Sequence, residues 1–311
     1  PHRGCPVSRG IIVRLLGAPF LLLAVASLTF LLMRAAPGGP FDREKQIPEQ
    51  ILRQLEAQYK LDGPIHEQMG RYLWDVARGD LRLSTQYRNR TVNELIAQTL
   101  PVSMALGAAA FAIAMCAGSV LGVCAAAAHN RPPDYALMVL ALVGVSLPSF
   151  ILGPLLMLVF SFWLGWFPVG GWGQLRQLWL PALALSLPYV AYITRLVRVS
   201  MLEVLGEDYV RTARAKGVSE ARVLFVHAFR NAALPLVSYS GPLAAFILTG
   251  SLVVETIFNI PGMGPFFVNS VLNRDVFLTG GVTLVYSALL IVLNLLVDVA
   301  YVWLDRRIRL D

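Results

Sequence analysis

The side chains that could do chemistry in this chain are few, and their spacings seldom fit a reaction. His66-Glu67-Gln68-Met69-Gly70 begins as a helical zinc site would, but the second histidine is missing, so two ligands cannot share one helix face. The lysines, Lys45, Lys60 and Lys216, precede Gln46, Leu61 and Gly217, which excludes a Gly-Lys-Ser/Thr phosphate loop. No Gly-x-Ser-x-Gly turn occurs, and no nucleophile stands near a base in a recognisable pattern. Cys5, Cys116 and Cys124 suggest neither a disulfide framework nor a metal site; the last two read as small packing residues in an Ala/Gly-rich run. Asn89-Arg90-Thr91 reads as a coincidental sequon. No catalytic residue, metal or cofactor is expected on this chain.

Three other features carry more. Asp298 lies in an apolar run one turn after Asn294, and is read as an interhelical hydrogen-bond partner rather than a proton relay. Glu255 precedes a stretch in which Pro261, Gly262, Gly264 and Pro265 should forbid a continuing helix. Non-helical backbone at membrane depth must be buried in protein or line a cavity, so Glu255, Pro261, Gly262 and Gly264 are candidates for a re-entrant or gating element. The densest basic amphipathic segment is Tyr209 to Phe229, YVRTARAKGVSEARVLFVHAF. Val210, Ala213, Val218, Ala221, Leu224, Phe225 and Ala228 follow helical spacing there, and Gly217 should turn a corner between two helices, with Ser219 capping the second. Charge pattern alone leaves two readings open, a partner-docking helix or a basic helix on anionic lipid.

The elements that must position these residues are membrane spans. Hydrophobic residues make up 56% of the chain and charged ones 14%, with mean hydropathy +0.62, which excludes an ordinary soluble enzyme. The apolar runs are Ile11–Met33, Leu100–Ala128, Tyr135–Phe167, Trp179–Leu202, Ala232–Ile257 and Gly280–Leu304, each long enough to cross about 30 Å of hydrocarbon. Pro148, Pro154, Pro181 and Pro188 should kink the third and fourth, and Gly118 with Gly122 suits close helix packing in the second. The sequence opens on Pro1, so its native start is expected to differ, and the first run is too long for a signal peptide and reads as an uncleaved span. The net charge of +7 follows topology rather than nucleic-acid binding: Lys and Arg gather at both termini and in alternate loops, while the short opposite loops hold only Arg176 and Arg274. Both termini are therefore expected in the cytoplasm. Residues 34–99 should form a small outer helical cap, with Pro48 and Pro64 at helix starts, a helical face of Ile65, Met69, Tyr72, Leu73 and Val76, a stop at Gly79 and a Thr91/Glu94 capping box.

Within YVRTARAKG, Ala213-x-Ala215-x-Gly217 resembles the EAA loop of ABC-importer permeases in its peptide-importer form. RAAPGGPFD (34–42), ARGDLRLS (77–84), TVNELI (91–96), SMLEVLGEDYVRTARAKG (200–217), ETIFNIPGMG (255–264) and NRD (273–275) are similar, in that order, to the B-type subunit of oligopeptide importers. The short loop GWFPVGGWGQ (165–174) is closer to the oligopeptide than the dipeptide type. Arg211, Thr212 and His227 depart from the general EAA pattern, and Leu234-Pro235 falls late, as in the peptide-importer variant.

The resemblance implies an all-α polytopic membrane protein, a type I ABC-importer transmembrane domain with six transmembrane helices and a small outer helical cap. It implies a cytoplasmic N-terminus (1–10), a first span (11–33), the cap (34–99), a permease core (100–304) holding coupling loop 203–231, and a cytoplasmic C-terminus (305–311). Asp208, Tyr209, Arg211, Thr212, Ala213, Arg214, Ala215, Lys216 and Gly217 would couple to an ATPase. The partners implied are a second homologous permease, two cytosolic ABC ATPases that use ATP and Mg, an extracytoplasmic peptide-binding protein, a peptide substrate and the lipid of a bacterial inner membrane, with no nucleic acid. A proton-coupled secondary transporter is the alternative, but it needs titratable relays beyond Asp298 and Glu255 and often inverted repeats, which the sequence does not display.

Overall fold

The computed structural model describes residues 6–35, 49–59, 61–87, 89–248 and 251–304. Its elements are α1 (Pro6–Ala35), α2 (Glu49–Gln58), α3 (Ile65–Ala77), α4 (Val92–Ala127), α5 (Pro132–Ser146), α6 (Ser149–Trp163), α7 (Leu175–Leu205), α8 (Asp208–Ala215), α9 (Glu220–Ala232), α10 (Leu234–Leu248), α11 (Leu252–Ile257), α12 (Met263–Leu272) and α13 (Val276–Leu304). Among the described residues the sole β pairing is an isolated antiparallel bridge between Leu83 and Thr91. Four helices are long and apolar enough to cross a membrane, and up to six spans result if each of two bent pairs counts once.

Two compact units divide the chain. The first holds the described residues up to Ser103 together with Pro261–Leu295. Its core is aromatic: the Phe30 ring stacks on Tyr72 at 5.3 Å, and Tyr72 lies 6.1 Å from Phe277. On α3, Tyr72 is buried and Met69, Leu73 and Val76 pack against the core, but Ile65 is exposed and Gln68 is buried instead. Gln68 takes that place because its Nε2 donates to the carbonyls of Leu61 and Gly63, satisfying the turn before the helix. Pro64 is the N-cap residue rather than the first helical one, and Gly79 ends the helix at φ +80°. Pro48 lies outside the described residues. Thr91 and Glu94 exchange the expected reciprocal bonds, so α4 starts at Val92, eight residues before the apolar run. Asp275 caps α13 by accepting from the Leu278 N–H.

The second unit holds Met104–Ile260 and the described residues from Leu296. Gly118 and Gly122 let α4 approach α7 so closely that an added Cβ would stand 2.7 Å from Ile193 or Val197. The third apolar run is not one kinked helix: α5 and α6 meet at 110°. Pro148 is the cause, since it excludes the α conformation at Leu147, which sits at φ −89°, ψ 120°. Pro154 lies inside α6, which widens to a π-helix from Met157. The fifth run is also broken: α9 and α10 meet at 63°, Pro235 occupies the first turn of α10, and α11 is separate. The side chain of Asp298 lies outside those described.

Candidate coupling site

Helix α8 carries the residues singled out in the basic segment. Its N-cap is Glu207, Asp208 places a negative charge in the first turn, and the Thr212 hydroxyl folds back to the Asp208 carbonyl. Val210 is the only fully buried residue of α8 and Ala213 is half-buried, while Asp208, Tyr209, Arg211, Thr212, Arg214, Ala215, Lys216 and Gly217 are exposed. Asp208, Arg211, Thr212 and Ala215 therefore share one outward face at i, i+3, i+4 and i+7, and Val210 and Ala213 the inward one. Ala213, the one of the two alanines in the apolar stripe, faces inward and Ala215 outward.

Gly217 makes the corner, at φ +75°. Its N–H bonds the Arg214 carbonyl and the Val218 N–H bonds the Ala213 carbonyl, which satisfies two acceptors of the last turn of α8. An added side chain would find open space there, so the cost of replacing this glycine is conformational and not steric. Ser219 stands at the N-cap of α9 but its hydroxyl makes no cap hydrogen bond. Glu220 is drawn instead across the corner, where the Arg214 guanidinium donates to both its oxygens at 3.2 and 2.7 Å. That fork holds the Glu220 carboxyl below the usual glutamate range and raises Arg214. A second tie joins the ends of the loop: Asn231 Nδ2 donates to the Tyr209 hydroxyl at 2.9 Å.

The expected apolar stripe breaks at Ala221 and again after Arg222. Val223, Leu224 and Ala228 are buried, but Ala221 and Phe225 are exposed. Residues Val223–Ala228 form a π-helical turn, whose wider pitch rotates the buried face away from the phase of an α-helix.

The gate candidates fall in both units. In the second, Glu255 is fully buried in α11, its N–H bonds Ser251 and its carbonyl accepts from Ile260. The helix stops at Ile257, and Asn259 turns at φ +50°. In the first, Pro261 is exposed, and Gly262 is the buried N-cap of α12. Gly264 and Pro265 do not interrupt helix as the sequence suggested. They lie in the first turn of α12, where a missing N–H costs no ladder bond. The Met263 N–H at that turn donates to the buried Ser103 hydroxyl at 2.8 Å.

Two buried polar clusters were missed by sequence reasoning. In the second unit the Arg198 guanidinium grips Asp134, 1% exposed, through both carboxylate oxygens at 2.6 and 2.7 Å, and the Asn130 N–H adds a third bond. In the first unit buried Asp275 also accepts from the Ser84 hydroxyl and the Gln86 N–H. Their partners stand far apart in sequence; the NRD triplet alone hinted at Asp275.

A helical, multi-span chain that presents one short polar helix on a glycine corner has the build of a membrane permease subunit. Residues 118–310 match the family of binding-protein-dependent transport system inner membrane components, and this chain belongs to that family. It is thus a multi-pass inner-membrane protein of the type I importer class. The chain is 46% identical to the oligopeptide transport system permease protein of Salmonella typhimurium, over 96% of this chain and 98% of that one. It is 43% identical to the Haemophilus influenzae protein of the same description, over 95% and 97%. The dipeptide transport system permease protein of Bacillus subtilis is 43% identical, over 98% and 99%.

Proposed function

We propose that this chain forms half of the translocation path of an ATP-driven peptide importer, paired with a homologous permease. Two cytosolic ATPases bind ATP and Mg and dock on α8, and an extracytoplasmic binding protein delivers the peptide to the outer cap. The loop holding α8 and both termini lie in the cytoplasm of a bacterial cell, a reading that the Lys and Arg distribution supports. Nucleotide-driven movement of α8 passes through Gly217 and α9 to the spans, which alternate between inward- and outward-open states. Glu255, Pro261, Gly262 and Gly264 serve the gate. One observation carries this reading: the outward face of α8 bears small and polar side chains without a continuous basic stripe, which suits a fitted protein groove better than an anionic lipid surface. Uptake of a labelled tetrapeptide by cells expressing the system tests it. Uptake should continue after a protonophore collapses the proton gradient and stop when ATP is depleted; the opposite pattern would establish the proton-coupled alternative.

A further inference from the structure

Helix α9 presents an exposed face of a kind that α8 lacks. Arg222, Phe225, Val226 and Arg230 recur on it at i, i+3, i+4 and i+8, and all are exposed, Phe225 at 45% and Val226 at 55%. The other face, with Val223, Leu224, Ala228 and Ala232, is buried within the second unit. Two large apolar side chains thus stand uncovered between two arginines. Among the described residues neither guanidinium has a hydrogen-bond or ion-pair partner. Glu220 is the sole acid of α9, and Arg214 already holds both its oxygens, so no carboxylate on the helix balances Arg222 and Arg230.

The placement of α9 says what covers this face. The helix passes through Ala233 alone into α10, from which it is bent by 63°. Helix α10 carries no charged residue and belongs in hydrocarbon. With α10 along the bilayer normal, α9 lies nearer the membrane plane than the normal, at the depth where the chain leaves the hydrocarbon. We propose that the exposed face of α9 is a lipid site in which Phe225 and Val226 enter the boundary between headgroups and acyl chains, while Arg222 and Arg230 bind the phosphates of anionic phospholipids. An apolar pair suits that boundary, and a guanidinium fork suits a phosphate while its stem stays along the apolar surface. The outward face of α8 has Asp208, Arg211, Thr212 and Ala215, a mixed charge with no large apolar side chain, and offers lipid neither contact. The two helices of the corner therefore face different partners. The lipid site requires only that α10 spans the bilayer and does not depend on the importer reading.

The test places a fluorophore on Val226→Cys in the full chain, with the native cysteines replaced by alanine. The labelled chain is reconstituted in phosphatidylcholine nanodiscs that hold a fixed fraction of phosphatidylglycerol or phosphatidylcholine bearing a nitroxide quencher near the headgroup. At low salt both quenchers should dim the fluorophore, and the phosphatidylglycerol form should do so more strongly. Arg222→Gln and Arg230→Gln should each lower that preference roughly fivefold, while quenching by phosphatidylcholine persists. All of these positions are exposed, so the variants leave the packing of the chain intact. Equal quenching by the two lipids, or a preference unchanged in the double variant, would overturn the site. So would absence of quenching by either lipid with Val226→Cys shielded from a water-soluble maleimide only when ATPases are bound, which would give this face to a protein.

Discussion

Arg214 and Arg82 stand in two polar segments of this protein, and they are placed in opposite ways. Arg214 is 41% exposed, makes a complete fork to Glu220 across an open corner, and sits on a relaxed helix. Arg82 is 6% exposed, makes one side-chain bond, and is held in a strained conformation by its neighbours. An exposed fork is screened by water and adds little, so the shape of the α8 corner rests on Val210 and Gly217, and the helix's outer face is left free for a partner. Buried polar groups are different: the Asp275 carboxylate satisfies three donors in the frame of the first unit, and removing it costs stability. On the proposed function, partner docking belongs to the exposed segment and fixed positioning to the buried one.

Substitutions can break or sharpen this contrast. The largest effect should come from Asp275→Ala, which removes the cap of α13 and the acceptor for Ser84 and Gln86 together, at about 2–5 kcal/mol. A matching fall in the unfolding midpoint of purified protein is expected; an unchanged midpoint would remove the frame from the comparison. Gly217→Val comes next. Forcing φ +75° on a β-branched residue should cost about 1–3 kcal/mol locally, leaving insertion normal while abolishing stimulated ATP hydrolysis in the assembled complex. Normal coupled transport by this variant would contradict the corner's role. Glu220→Gln should do least, about 0–1 kcal/mol, because the pair is exposed. Since Arg214 depresses the Glu220 carboxyl, the pair's contribution is present above the ordinary glutamate range and is lost as pH falls through the lowered value. Transport should thus be insensitive to this pair from neutral to mildly acidic pH, and a loss over that range that Glu220→Gln abolishes would contradict the lowered Glu220 carboxyl.

What the sequence revealed follows from range. The apolar runs, the Thr91/Glu94 box, the Gly79 stop, the Gly118/Gly122 approach and the Gly217 corner are local patterns with local causes, and they could be read directly. The grip of Arg198 on Asp134 spans 64 positions and that of Ser84 on Asp275 spans 191, so nothing nearby announces either. The π-helical turn at Val223–Ala228 moved the buried face, which exposed Phe225 against its periodicity. Arg82 was invisible for another reason: nothing local marks an arginine for a left-handed backbone. The split between Ala213 and Ala215 was legible too: Ala213 alone falls in the apolar stripe, and it is half-buried while Ala215 is exposed.

The outward face of α8 as the ATPase dock is the central claim, and Ala215→Trp tests it most directly. Ala215 is exposed, so tryptophan there leaves the chain's own packing and every charge unchanged, yet it overfills a fitted groove at a cost of about 1–3 kcal/mol. The permease complex carrying Ala215→Trp should be purified beside one carrying Arg214→Glu, and the ATPase subunits retained by each should be quantified. The account predicts a sharp loss of ATPases with Ala215→Trp and a smaller one with Arg214→Glu. Full retention by Ala215→Trp together with loss in Arg214→Glu would contradict it and make the segment an electrostatic membrane anchor.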